Sequence, residues 1–273
     1  FLIYLFTPAL VFRGIYTTEL TGGEIGQIAV VVVGVALAMS LIGAVVARLM
    51  RPDKRKSDPR REGALLLSVV LVNAANYGIP LNTFAFGEAG GTAAIVYYVV
   101  AALVGNILGV FYASRGSASV RGAILNVFKV PIAYAAIIGL IFNICEIQIP
   151  LILERSILDI AADASIPRML ALLGIQLART QFKGQLRPIM AAVGLRLVVA
   201  PVIALVLALA VGLQGITFNV AIIESSMPTA VLASALATQF KSDAEFVSAV
   251  TLVSTLLSVV TLSVLIFLLG GPV

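Results

Sequence analysis

Nine apolar segments recur along this sequence, several of them near or beyond the ~20 residues needed to cross a bilayer core, and they leave it few ways to fold. They run at about 1–17, 26–50, 63–87, 92–113, 130–146, 150–178, 187–213, 218–240 and 244–269, with Gln27–Met50, Leu186–Leu213 and Ala244–Leu269 as examples of spanning length. With 60% of 273 residues apolar and only 11% charged, the chain lacks the polar surface to enclose a water-soluble core. The expected class is an all-α polytopic membrane protein. The segments are spans and not a cleavable leader. Cys145 is the single cysteine, so no intrachain disulfide can form. There is no histidine, which excludes zinc-protease helices, Ser-His triads and histidine proton relays. Without a Gly-x-Ser-x-Gly or paired-aspartate signature an intramembrane hydrolase is disfavoured, and no enzyme is expected.

The net charge of +5 sits in short loops. Residues Arg51–Arg61 form a basic run with two prolines that cannot lie in lipid. Together with Arg48, Arg115, Arg121, Lys129, Arg179, Lys183, Arg187 and Lys241, it puts 14 of the 18 Lys and Arg on one side. The alternate loops carry Glu19, Glu24, Glu88 and Glu146 and no lysine. The positive-inside rule makes the basic side cytoplasmic, with residue 1 inside and Val273 outside a multi-pass cell membrane. No basic stripe interleaved with aromatics points to nucleic acid.

Aligning segments on their prolines shows an internal repeat. Phe6-Thr-Pro8-Ala-Leu-Val-Phe12 resembles Ser165-Ile-Pro167-Arg-Met-Leu-Ala171, and Tyr77-Gly-Ile-Pro80-Leu81 resembles Ser226-Met-Pro228-Thr229. An odd number of spans separates the partners, so the halves are inverted: 1–113 is the first repeat and 130–269 the second. The second repeat has an extra leading helix, so ten spans in two sets of five are expected, with the first helix missing ahead of Phe1.

Inverted repeats with interrupted helices are the signature of alternating-access carriers, because unwound backbone at mid-bilayer can hold a substrate. Such irregularity survives only under cover of protein or water. The third and eighth spans carry it, at Asn73-Ala-Ala-Asn76-Tyr-Gly78-Ile-Pro80 and Glu224-Ser225-Ser226-Met-Pro228-Thr229. Half-helices are expected to begin at Pro80 and Pro228, with their positive ends turned inward as an anion site. Asn76 and Glu224 each lie four residues before their proline, and so are expected at symmetry-related positions. Asn73, Asn76, Gly78, Pro80, Ser225, Ser226, Pro228 and Thr229 are the expected substrate-binding residues, and Glu224 the residue for a coupling proton or sodium ion. A charge within a span costs at least ~2.5 kcal/mol, so Glu224 needs a partner or a function.

Plainer readings stand beside these. Asn73 and Asn76 can simply tie helices together. Glu224 can pair with Arg196 or a backbone amide, and Arg196, also deep in a span, can balance an organic anion or pair with an acid. Asp159 and Asp163 are expected to face water. Gly105 and Gly109 form a small-xxx-small pattern, expected to serve close helix packing.

Asn73-Ala-Ala-Asn76-Tyr-Gly-Ile-Pro80-Leu81, followed by Phe86-Gly87, resembles the Asn-Thr-Gly-x-x-Gly-x-Pro-Leu block of the auxin efflux carrier family. Pro8-Ala-Leu-Val-Phe12 is similar to that family's second helix, and Met227-Pro-Thr-Ala230 through Gln239-Phe-Lys-Ser-Asp243 to its ninth. The resemblance covers essentially the whole chain. It implies a scaffold (here 1–17, 130–146 and 150–178) and a transport domain (26–50, 63–87, 92–113, 187–213, 218–240 and 244–269), with substrate where helices four and nine cross. It also implies small organic anions as substrates, auxin in plants and dicarboxylates such as malonate or malate in bacteria. By motif position it places Asn73 and Pro80 on one crossing helix and Pro228 on the other. Ala74 and Ala75 replace the usual Thr-Gly, and Glu224 stands where no fixed acid is expected. No cofactor is expected; the partners are the lipid bilayer and an organic anion, with a homodimer left open. The related bile acid sodium symporters are the alternative, since an acid and serines near the ninth-helix crossing can hold sodium. An ion channel is the alternative from another class.

Overall fold

The computed structural model describes residues 5–50, 58–114, 131–179 and 185–271. Most of the basic run, Arg115, Arg121, Lys129, Lys183, Phe1 and Val273 lie outside the described residues. The described residues are helical, with one isolated bridge and no strand. In chain order they form α1 (Thr7–Tyr16), α2 (Gly22–Leu49), α3 (Pro59–Val70), α4 (Ala74–Ala113), α5 (Pro131–Ile144), α6 (Ser165–Arg179), α7 (Leu186–Ala210), α8 (Gly215–Ser225), α9 (Val231–Gln239) and α10 (Ala244–Leu268). Short helical turns over Leu151–Asp163 lead into α6.

Helix starts follow local chemistry. Thr21 and Glu24 close a reciprocal capping box on α2. Asp58 caps α3 ahead of Pro59, and Asp243 accepts from the Phe246 amide at the start of α10. Helices α2, α7 and α10 are each long and apolar enough to cross a bilayer, as is the Ala74–Ala113 run of α4 taken over both of its arms. Leu37 and Leu41 of α2 and Val260 and Phe267 of α10 stand exposed. So large an apolar exterior suits hydrocarbon and not water.

Loop flanks gather at two ends. Ser242 donates to the Arg60 carbonyl, Arg61 reaches Gln185, and Gly63 packs on the Tyr112 carbonyl, so the flanks of the four basic loops meet at one end. At the other end Gln27 donates to the Val211 carbonyl, Asn143 to those of Tyr16 and Thr18, and Asn219 to that of Leu269. This alternation is what successive bilayer crossings require.

Helix α4 is two helices. Gly87 has φ +69° and ψ −163°, outside helical geometry. A Cβ on Gly90 would lie 2.6 Å from the Asn82 carbonyl oxygen, whereas eight residues of straight helix span about 12 Å. The chain therefore folds back at Gly87, and Gly90 and Gly91 let the two arms touch. Gly105 and Gly109 pack against Leu71 and Leu236, as small-residue helix faces do.

α1 lies against α5 and the lead-in to α6. Phe12 meets Phe142 edge-on at 5.6 Å, and Ser165 donates to the Phe6 carbonyl. Arg13 bridges Asp163 at 2.7 Å and Asp159 at 3.4 Å. Both acids are solvent-accessible, as expected, yet they share a cation that sequence reading did not assign to them.

Candidate functional site

Two pairs of half-helices meet inside the molecule. α3 has 12 residues and α8 has 11, about 18 and 17 Å of helix, roughly half of a ~30 Å hydrocarbon core. Each ends in an extended break, Leu71–Asn73 in one and Met227–Ala230 in the other. The breaks pair antiparallel across Val72 and Thr229: the Asn73 amide donates to the Pro228 carbonyl at 3.0 Å and the Ala230 amide to the Leu71 carbonyl at 2.8 Å. Backbone groups freed by unwinding thus satisfy each other away from water. Thr229 adds two ties, its hydroxyl to the Ser68 carbonyl and its amide to Ser254.

This register differs from the proline alignment. Pro80 falls one residue into the regular helix Ile79–Ala113, after a wide turn over Ala74–Gly78. Pro228 lies within the extended break, three residues before α9. Neither proline is the first helical residue. The reason is that cross-pairing of the breaks, and not the missing proline amide, sets where each helix stops. A local two-fold relating Val72 to Thr229 carries Asn76 onto Ala233, so Asn76 and Glu224 do not correspond.

Arg196, on a wide turn of α7, is 1% exposed and points at the crossing. Its Nε donates to the Met227 carbonyl at 2.8 Å, one terminal nitrogen to the Val69 carbonyl at 3.0 Å, and the other to the Ser225 carbonyl. One guanidinium therefore satisfies carbonyls at the negative ends of both α3 and α8. The described residues show no ion pair between Arg196 and Glu224. The pairing expected as an alternative is replaced by this capping role, because two helix ends converge there with unbonded carbonyls.

With the negative ends neutralised, the positive ends face a cavity of about 460 Å³. The first residues of α4 (Ala74, Ala75) and of α9 (Val231, Leu232) line it, as do Asn73, Asn76, Tyr97, Tyr98, Asn106 and Arg196. Thr7 of α1, Ile132 of α5 and Gln176 of α6 form its other wall. Neither half-helix start has a side-chain cap, so first-turn amides are left for a ligand. Asn73 is 4% exposed and its Nδ2 has no partner.

Glu224 lies on another face of the crossing, fully buried. Its Oε1 accepts from Asn82 Nδ2 at 3.0 Å, its Oε2 has no partner, and its carboxyl lies flat on Gly78. Ser225 exchanges a 2.9 Å hydrogen bond with the Tyr97 hydroxyl, and Ser226 donates to the Ile222 carbonyl. Of the residues singled out from sequence, Asn73, Asn76 and Arg196 reach the cavity. Gly78 and Glu224 touch each other, while Pro80, Ser225, Ser226, Pro228 and Thr229 are absorbed in building the crossing. Sequence reading missed Thr7, Asn82, Tyr97, Tyr98, Asn106 and Gln176. Tyr97 and Tyr98 sit side by side in an apolar run and Gln176 lies on the amphipathic α6, so neither spacing nor a motif marks them; only Asn82, two residues past Pro80, carried a positional hint.

A model of the family described as membrane transport protein matches residues 115–266, more than half of the chain. The chain belongs to this family. That membership agrees with the auxin efflux carrier resemblance of the crossing motifs. Similar proteins include an uncharacterized transporter of Methanothermobacter thermautotrophicus, 27% identical over 255 residues covering 93% of this chain and 82% of the relative. Another is an uncharacterized transporter of Methanocaldococcus jannaschii, 24% identical over 274 residues, covering 98% and 86%. As a member of the membrane transport protein family, the chain is a membrane-embedded transporter.

Proposed function

We propose that this protein is a secondary carrier of small organic anions, carboxylates above all, that binds its substrate in the cavity at the α4 and α9 starts. The carrying observation is that two uncapped helix N-termini and the unpartnered Asn73 side-chain Nδ2 line one space. Its volume lies within the ~300–1,000 Å³ range of small-molecule sites. Its walls come from α1, α5 and α6 on one side and from α2, α7 and the broken helices on the other. Sliding between those two groups, scaffold and transport domain, would expose the site alternately to each side. The basic end is assigned to the cytoplasm.

A thermal-shift screen of the purified protein against mono- and dicarboxylates, with and without sodium and across pH, tests the reading. A carboxylate at a hundred times its Kd is expected to stabilise the fold by about 2.7 kcal/mol. A flat response to every carboxylate would contradict the proposal. Asn73→Leu removes a donor to a charged group, worth about 1.5–3 kcal/mol. It is expected to raise the Kd of the responding carboxylate about ten- to hundredfold, read by titration in the same assay.

Coupling is assigned to Glu224. Glu224→Gln is expected to abolish the pH or sodium dependence of uptake in proteoliposomes. Unchanged dependence would refute that assignment.

A further inference from the structure

Besides Asn73 Nδ2, two atoms orphaned inside the crossing lie on neighbouring side chains, Glu224 Oε2 and Asn82 Oδ1. Both residues are fully buried. Asn82 Nδ2 uses its two hydrogens on the Gly78 carbonyl and Glu224 Oε1, each at 3.0 Å. Those two acceptors fix the amide orientation, because a flipped Asn82 would set oxygen against oxygen. What remains is an acceptor on each side chain and no donor. A single proton on Glu224 Oε2 supplies that donor, since a protonated carboxyl has one O–H to give and one oxygen to accept with.

We infer that Glu224 and Asn82 form a proton-holding acid–amide pair, in which Oε2–H donates to Asn82 Oδ1 while Asn82 Nδ2 donates to Oε1. The pair rests on the coupling role proposed for Glu224 and narrows it to a proton. The surroundings favour that choice. Glu224 has no cation within ion-pair distance among the described residues, and an unpaired buried carboxylate is far more costly than a neutral acid. A hard cation needs a cage of oxygens. Here the carboxyl is pressed onto Gly78, and its sequence neighbours Ile223 and Met227 pack with Leu262, Tyr77 and Leu81 in an apolar cluster. No group of three or more Asp, Glu, His or Cys suited to a metal occurs among the described residues.

Other ionisable groups on the packed elements do not supply the missing donor. α4 carries Tyr77, Glu88, Tyr97, Tyr98 and Tyr112; Glu88 is exposed, and the Tyr97 hydroxyl is engaged with Ser225. α7 carries Arg187, exposed at its start, and Arg196, turned onto carbonyls. α2 carries Glu24 and Arg48 in its end turns, and α10 has Glu245 in its first turn.

Infrared difference spectroscopy of the purified full chain at neutral pH, without substrate, tests the pair. The expected result is a C=O stretch of a protonated carboxyl that is lost in Glu224→Gln and shifts in Asn82→Ala, where the hydrogen-bond partner is gone. Glu224→Gln keeps a two-way amide pairing with Asn82, so it is expected to fold. Should it not, Asn82→Ala still reads the band, because Glu224 remains in place. Two results would overturn the inference: a band indifferent to both substitutions, or loss of the band on adding sodium chloride at constant pH with Glu224-dependent thermal stabilisation. The readout needs no substrate, so it can fail while carboxylates still stabilise the protein, and the carrier reading can fail while the band persists.

Discussion

Replacing Arg196 with leucine is expected to leave little folded protein. The substitution strands three carbonyls, of Val69, Ser225 and Met227, at the buried ends of α3 and α8. Each buried group left unbonded costs about 1–3 kcal/mol, and the total rivals the ~5–15 kcal/mol that holds a typical domain folded. Removing the cation also sets two negative helix ends against each other. Arg196→Lys keeps the charge but loses the planar fork that reaches both helices at once, so it is expected to fold with a clearly lowered melting temperature. Size-exclusion profiles and thermal unfolding of the detergent-solubilised variants measure this. A leucine variant that is as stable as the parent and deficient only in carboxylate binding would show that Arg196 serves the substrate and not the crossing.

Gly78→Val is expected to destroy transport and destabilise the fold, for a different reason. A Cβ at Gly78 would overlap both carboxyl oxygens of Glu224 and lie 2.6 Å from Cδ. The turn over Ala74–Gly78 and α8 are therefore in contact through a backbone without a side chain. Overpacking in a closed core costs about 1–3 kcal/mol even where neighbours can shift, and both elements here are tied by the crossing. Gly78→Ala imposes the same clash in milder form, which makes a double-mutant cycle informative. Trimming Glu224 to alanine opens space beside residue 78, so Gly78→Ala/Glu224→Ala is expected to be more stable than Gly78→Ala alone. Strict additivity of the two substitutions would mean that Gly78 and Glu224 do not touch.

Much of the architecture is legible in the sequence because spanning hydrocarbon leaves long apolar runs, and the alternating basic loops mark their ends. The interruption of two helices is legible for a similar reason: Asn73, Asn76, Glu224 and Ser225 are polar groups that a continuous lipid-facing helix would not carry. The register of the breaks is not. Prolines suggest where helices begin, yet here the cross-pairing of Val72 with Thr229 decides, and its backbone hydrogen bonds depend on no side-chain type. The capping role of Arg196 is hidden likewise, because its acceptors are carbonyls. Asn82 escaped notice because its partner lies 142 residues away in the chain; only the approach of α8 makes it a partner for Glu224.

The crossing itself can be tested by a disulfide. Val72 and Thr229 form the non-hydrogen-bonded pair of the bridge, which sets their Cα atoms about 4.5 Å apart, within reach of an S–S bond. Cys145 is the only native thiol and is exposed, so Cys145→Ser provides a clean background. In that background Val72→Cys/Thr229→Cys, oxidised in the membrane and cleaved between the halves, is predicted to run as one linked species that separates on reduction. Two fragments that stay unlinked under oxidation, in protein that is otherwise folded, would mean that the broken helices do not meet.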